Sequence, residues 1–203
     1  MNAARAINHH ADHPGFAGVT GVLCAVAFLL VGRAKARMAA DVARISPQDH
    51  VVDVGCGPGT AARVAARRGA RVTGVDPASA MLRVARLVTP RRIPITWSVG
   101  CAETLPVADG SATVVWALAT VHHWQDVGAA VTEARRVLAP GGRLIAIERQ
   151  SPDDATGLAS HGWTRQQAES FGALCRETGF DDVSVSESGS GKGAVWVVCG
   201  TRR

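Results

Sequence analysis

The 203-residue sequence has no tyrosine, and phenylalanine and tryptophan together supply only 4% of it. Of its 22 basic residues only Lys35 and Lys192 are lysines; many of the arginines are scattered through Ala-rich stretches such as residues 61–71. Proteins that read nucleic acid gather positive charge on one face and interleave it with rings on which bases stack. That pattern is missing, so the net charge of +5 reads as solvated helix faces, and no nucleic-acid partner is expected. Charged residues amount to 19% against 47% hydrophobic, which excludes a disordered chain and allows one well-filled domain. Five cysteines (Cys24, Cys56, Cys101, Cys175, Cys199) form no C-x-x-C pair and no Cys/His pattern with zinc spacing. An odd, dispersed set points to a reducing, cytoplasmic setting and implies no metal. Neither an internal repeat nor a domain linker is present.

One stretch complicates the soluble reading. Residues 15–32 run for eighteen positions without a charge and are followed by Arg33, Lys35 and Arg37. A spanning helix needs about 20 apolar residues, so this run is borderline. Either it associates with a membrane, its basic flank inside, or it forms an apolar helix buried against the domain or over a ligand. Gly15, Gly18 and Gly21 weaken its first half as a helix. Residues 1–48 are accordingly set apart as an N-terminal helical segment and residues 49–203 as the main domain, with a helix expected over residues 34–45.

From residue 49 onward short apolar β-branched runs alternate with helical periodicity. Strands are predicted at residues 50–54, 71–75, 93–99, 111–118 and 143–148, the third toward an edge because of Pro94. Helices are predicted at residues 61–68, 79–88 and 126–138, with a tight turn at Pro140-Gly141-Gly142. Continuously apolar strands alternating with helices indicate a parallel sheet covered on both faces, a doubly wound α/β architecture. After a helix at residues 164–178, strands at residues 183–187 and 194–199 are joined by six residues with no helix between them, so they must be antiparallel.

The run Val51-Val52-Asp53-Val54-Gly55-Cys56-Gly57-Pro58-Gly59-Thr60 is a strand emptying into a glycine loop that opens a helix. Gly55 permits the tight turn and Gly57 lets a ligand approach the backbone. The N–H groups at the helix start favour an anionic group. Asp76 closes the second strand 21 residues after Gly55, where an acid can accept both hydroxyls of a ribose or simply cap the next helix. Asp53 places a carboxylate among valines, which demands partners from loop N–H groups or from a ligand ammonium.

Five blocks in order carry a family resemblance: Asp53 to Gly59; Gly74-Val75-Asp76 with Met81-Leu82; Ala102-Glu103-Thr104-Leu105-Pro106; Val121-His122-His123-Trp124; and Arg136 through Arg143. Over about residues 49–147 the chain resembles class I S-adenosylmethionine (SAM)-dependent methyltransferases of the small-molecule type. The resemblance implies a Rossmann-like, seven-stranded sheet of order 3-2-1-4-5-7-6 with the last strand antiparallel. It implies SAM as cofactor, its methionine end in the glycine loop (Gly55, Cys56, Gly57, Gly59) near Asp53, its ribose on Asp76, and its adenine between Pro77 and Met81. Ala119, ending the fourth strand, belongs to the same set. Relatives carry Asp-Ala-Glu after the third strand; Gly100-Cys101-Ala102-Glu103 replaces the adenine-binding acid with a poor acceptor, leaving Ala102, Glu103 or water to read the base. The zwitterionic tail of SAM suits loop N–H groups plus Asp53, whereas a dinucleotide pyrophosphate gains nothing beside a carboxylate.

For the chemistry, His122 or His123 is the candidate to orient or deprotonate an acceptor, with at most one of them facing it because adjacent loop residues diverge. Glu148, ending the fifth strand, is another candidate, although an acid leading into a surface loop is more often simply solvated, and His161 and Trp163 read as pocket residues or, for Trp163, a staple on a helix capped by Thr164. The span 149–163 is short for a lid, so acceptor contacts fall to the N-terminal segment, which points to a small apolar acceptor. Alternatives from other classes are a SAM-binding sensor or partner subunit without transfer and an NAD-dependent oxidoreductase.

Overall fold

The computed structural model describes residues 7–8 and 32–203. Most of the N-terminal apolar run, residues 15–31, lies outside the described residues. Among the described residues no helix is long and apolar enough to cross a membrane.

Helix α1 (Arg33–Val42) precedes the sheet, and Ala36, Ala39 and Ala40 form its buried face. Strand β1 (His50–Val54) leads through the glycine loop into α2 (Thr60–Arg67). Then follow β2 (Arg71–Asp76), α3 (Ser79–Val88), β3 (Ile95–Val99) and β4 (Ala112–Leu118). A 3-10 turn (Val121–His123) separates β4 from α4 (Val127–Val137), and β5 runs over Leu138–Arg149. The chain closes with α5 (Arg165–Glu177), β6 (Phe180–Ser188) and β7 (Val195–Arg202). The sheet order is β3-β2-β1-β4-β5-β7-β6. β1 to β5 are parallel, and β7 runs antiparallel to both β5 and β6.

Both faces of the sheet are covered. On one, Val51, Val72, Trp116, Ile145 and Val197 pack against alanines of α1 and α2. On the other, Val52, Val54, Val115 and Ala146 meet α4, α5 and Trp163. The alternation along β1 follows from the two-residue period of a strand. It puts Asp53 on the α2 side together with Val51.

Most element boundaries fall within two residues of expectation. Pro94 sits just before β3, which is indeed the edge strand. The Pro140-Gly141-Gly142 segment is not a turn ahead of the fifth strand but part of it. β5 already pairs at Leu138 with Ala112, and the register shifts before Val114 meets Arg143. Pairing on either side of the irregularity keeps the segment in the sheet. β6 likewise starts three residues earlier than predicted, because Phe180 and Asp181 pair with Arg202 and Thr201 across a bulge that the sequence pattern hides.

Candidate active site

At the carboxyl end of β1 the backbone turns sharply, and Gly55 (φ +67°) and Gly57 (φ +51°) both adopt left-handed conformations. A Cβ at Gly55 would collide with the Thr120 side chain, so the loop presses directly against the end of β4. The N–H groups of Gly55 and Cys56 donate to the Val75 carbonyl at 2.8 and 3.0 Å. Asp76 completes this stitching: one carboxylate oxygen accepts from Gly57 N–H and the other from Ala78 N–H, both at 2.8 Å. Glycine loop and acid therefore form a single rigid unit. Gly59 is tight because a Cβ there would strike the Trp97 ring, whereas a Cβ at Gly57 would enter open space. Gly57 is thus the place where a ligand can lie on the backbone.

Asp53 is the anomaly in this unit. It is 2% exposed, and its Oδ2 has no hydrogen-bond partner among the described residues. Burial pushes its carboxyl up to about 7, against the downward pull of the neighbouring Trp116 indole and Ala62 N–H. Burial also raises the Asp76 carboxyl, although the Ala78 and Gly57 N–H groups oppose the shift. Cys56 is buried, and its thiol is pushed well up by desolvation and by the two acids, so it is no nucleophile.

Beyond Asp76, Pro77 is exposed and Met81 is buried under α3. The end of β3 reaches the same place through Gly100 N–H, 3.4 Å from the Asp76 carbonyl. Cys101 is exposed, and its backbone bridges to Thr104; Ala102 is buried. Glu103 has a task within the protein: its Oε1 accepts from the N–H groups of Gln125 and Asp126, fixing the entry to α4. Ala119, at the end of β4, holds φ +57°, a left-handed conformation that costs a non-glycine residue about 1 kcal/mol or more. Strain of this kind gathers where a site dictates the backbone.

The end of β4 and the end of β5 build a second group. Glu148 is not solvated as expected but fully buried, because the apolar run Leu144-Ile145-Ala146-Ile147 carries it into a covered strand. Its Oε1 accepts from Val121 N–H at 2.8 Å, and its Oε2 lies 2.9 Å from His122 Nδ1. His122 is itself 3% exposed. The expectation that His122 and His123 diverge fails too: the 3-10 turn brings their ring centroids to 4.1 Å. His161 joins them at 5.5 and 5.6 Å.

His161 is placed by the short segment after β5. The Arg149 guanidinium donates to the carbonyls of His161 and Ala159, at 3.1 and 2.8 Å. Ser151 N–H donates to Trp163 O, and Trp163 N–H donates to Arg149 O. Gly162 is required there because a Cβ would run into the Arg149 carbonyl. Thr164 caps α5 in a reciprocal pair with Gln167. Trp163 is a core residue, its ring 5.0 Å from that of Phe171. Residues 7–8 touch this end as well: Trp163 Nε1 donates to Ile7 O, and the Asn8 amide donates to the carbonyls of Trp124 and Gln125. Lys35, its amine pulled down by burial and by the Arg149 charge, lies near Glu148.

A parallel sheet of this strand order, its first strand emptying into a glycine loop braced by an acid at the end of the second, has the architecture of class I SAM-dependent methyltransferases. Two solved structures share the fold. A SAM-dependent methyltransferase from Mesorhizobium loti superposes with a TM-score of 0.67 at 20% identity, covering 86% of this chain and 100% of that one. A phosphoethanolamine N-methyltransferase from Haemonchus contortus gives 0.73 at 16% identity, covering 97% and 60%. Among curated sequences, the demethylmenaquinone methyltransferase of Tropheryma whipplei is 34% identical over 116 residues, 57% of this chain and 48% of that protein. A ubiquinone/menaquinone biosynthesis C-methyltransferase of Rubrivivax gelatinosus is 35% identical over 103 residues, 51% and 40%. The chain spans less than half the length of these curated relatives. The family model described as a methyltransferase domain matches residues 52–146.

Proposed function

We propose that the protein transfers a methyl group from SAM to a small, apolar acceptor of quinone type. The observations that carry the cofactor half of this reading are a buried Asp53 carboxylate oxygen without a partner among the described residues, on the strand that feeds the glycine loop, and Gly57 within that loop, which opens onto space. A carboxylate in that state suits a ligand ammonium and repels a pyrophosphate, which favours a zwitterionic amino-acid tail over a dinucleotide. These residues fit SAM. When bound, SAM supplies an electrophilic methyl group on a sulfonium.

The chain's own residues then have distinct tasks. Asp53 meets the ammonium, and the open face of the backbone at Gly57 lets the amino-acid tail lie against the loop. Asp76 spends one lone pair of each oxygen on Gly57 and Ala78, which leaves acceptor capacity for two ribose hydroxyls. Pro77 and Met81 flank the base, and the backbone around Cys101 and Ala102 reads its edge. On the acceptor side, the His122 ring is held in one orientation by Glu148. His122 or His123 orients the acceptor and takes its proton when it has one to lose. Alignment in a dry pocket supplies the remaining acceleration.

The names of the curated relatives support a quinone-type ring as acceptor, as does the uncharged run at residues 15–32. The experiment is a transfer assay with SAM and demethylated naphthoquinols or benzoquinols, following S-adenosylhomocysteine release. Release that depends on the quinol supports the proposal. Tight SAM binding with no release on any apolar acceptor favours a sensor or partner subunit.

A further inference from the structure

The three imidazoles at the end of β4 and before α5 have a chemistry that methyl transfer does not require. His122, His123 and His161 each offer a ring nitrogen, and these atoms all lie within 4.8 Å of one another. In a tetrahedral zinc site, Zn–N bonds of about 2.0–2.1 Å set the nitrogens about 3.3 Å apart, so side-chain rotation closes the difference. His122 Nδ1 is committed to Glu148 Oε2, which directs coordination through Nε2. A buried carboxylate that holds the far nitrogen of a histidine is the outer-shell partner that metal-ligating imidazoles use to fix tautomer and orientation. His161 is set in place independently, by the Arg149 guanidinium on its carbonyl.

We infer that His122, His123 and His161 form a binding site for a divalent transition ion of the zinc class. Three neutral nitrogen donors select such an ion over magnesium or calcium, which take oxygen ligands. Three protein ligands leave a fourth position for water or an oxygen of the acceptor. Only the ion's task rests on the proposed transfer. With the ion bound, an acceptor hydroxyl on that fourth position loses its proton to solvent, and the imidazoles no longer serve as the base. The sequence hides this site because His161 stands 38 residues after His123, outside any zinc spacing.

The test uses untagged full-length protein in which His9, His10 and His13, imidazoles of the N-terminal segment, are replaced by alanine. Cobalt(II) is titrated in and followed by its visible d–d absorption, and zinc affinity is read by competition with a chromophoric chelator. One saturable ion per chain is expected. His161→Gln and His123→Gln should each weaken it by a hundredfold or more, and Glu148→Gln by roughly 10–100-fold. SAM binding measured in the same samples should be unchanged in His161→Gln, which also shows that the variant is folded. Absence of saturable cobalt binding, or binding that neither His161→Gln nor His123→Gln weakens, overturns the inference. Loss of SAM binding with cobalt binding intact overturns the transferase reading and leaves the ion site standing.

Discussion

Along the carboxyl edge of the sheet, the β1–β2 side is furnished by one short stretch of chain plus one acid, whereas the β4–β5 side is assembled from segments far apart. On the first side Gly55, Cys56 and Gly57 hydrogen-bond straight to Val75 and Asp76, with Asp53 buried beneath them. On the second, His122 is held by Glu148 from the next strand and neighboured by His161 from the segment beyond it, while the Ile7 carbonyl accepts from Trp163 and the Asn8 amide donates to the Trp124 carbonyl. The difference teaches how the two halves divide labour. Under the proposed transfer, a cofactor of fixed shape meets a local loop that one strand-to-helix transition can build, and an acceptor of variable shape meets parts drawn from several segments.

Substitutions should separate the halves, and the largest effect is expected at Asp76. Asp76→Ala removes the acceptor of two backbone N–H bonds as well as the proposed ribose contact. Hydrogen bonds to charged groups contribute about 1.5–3 kcal/mol each. Calorimetry should therefore show SAM affinity reduced by a hundredfold or more, together with a lower Tm. An unchanged affinity would break the claim that Asp76 is part of the cradle.

On the other half, Glu148→Gln should lower the rate of transfer at least tenfold while leaving the SAM dissociation constant within about twofold, because the Glu148 carboxylate is hydrogen-bonded to Val121 and His122 and not to the glycine loop. Steady-state kinetics alongside calorimetry would check this, and a matching loss of SAM affinity would erase the distinction.

A glycine pair sharpens the comparison further. Gly57 and Gly141 both have positive φ, and at both a Cβ would meet nothing. Gly57→Ala and Gly141→Ala should each cost about 1 kcal/mol in denaturant unfolding. Only Gly57→Ala should also weaken SAM, by about tenfold, since only there does the open space belong to the site.

Asp53 gives an effect of opposite signs. Its pKa is raised by burial to about 7, so between about pH 4 and 7 the folded protein holds a proton that the unfolded chain has released. Folding stability contributed by this group is therefore lost as pH rises through that window, by at most about 4 kcal/mol. Asp53→Asn should raise the Tm of the ligand-free protein at pH 8 and flatten its pH dependence while weakening SAM. The smallest change is expected for Cys101→Asp, a gain of a few-fold in SAM affinity from an acceptor placed toward the base.

Much of this was legible in the residues themselves. The apolar strands and the glycine loop gave the sheet, and the short link between the last two strands gave its antiparallel end. The acceptor half was less legible, for physical reasons. Glu148 looked solvated because a loop follows it, yet the apolar run before it meant a strand covered on both faces, where an acid needs a partner. His122 and His123 looked divergent because a 3-10 turn, set by the bond from Val121 N–H to Glu148, could not be read from either segment alone. His161 depends on a guanidinium twelve residues before it in the chain. Glu103 shows the converse: a residue read for the cofactor spends one carboxylate oxygen on the start of α4.

Calorimetric titration with SAM between pH 5.5 and 7.5 tests the pairing of Asp53 with a ligand ammonium most directly. Because the ammonium favours the carboxylate form, affinity should climb by up to about tenfold per pH unit below 7, with proton release on binding, and then level off. Affinity that is flat across this range, or no heat with SAM beside clear uptake of NADH, would contradict it.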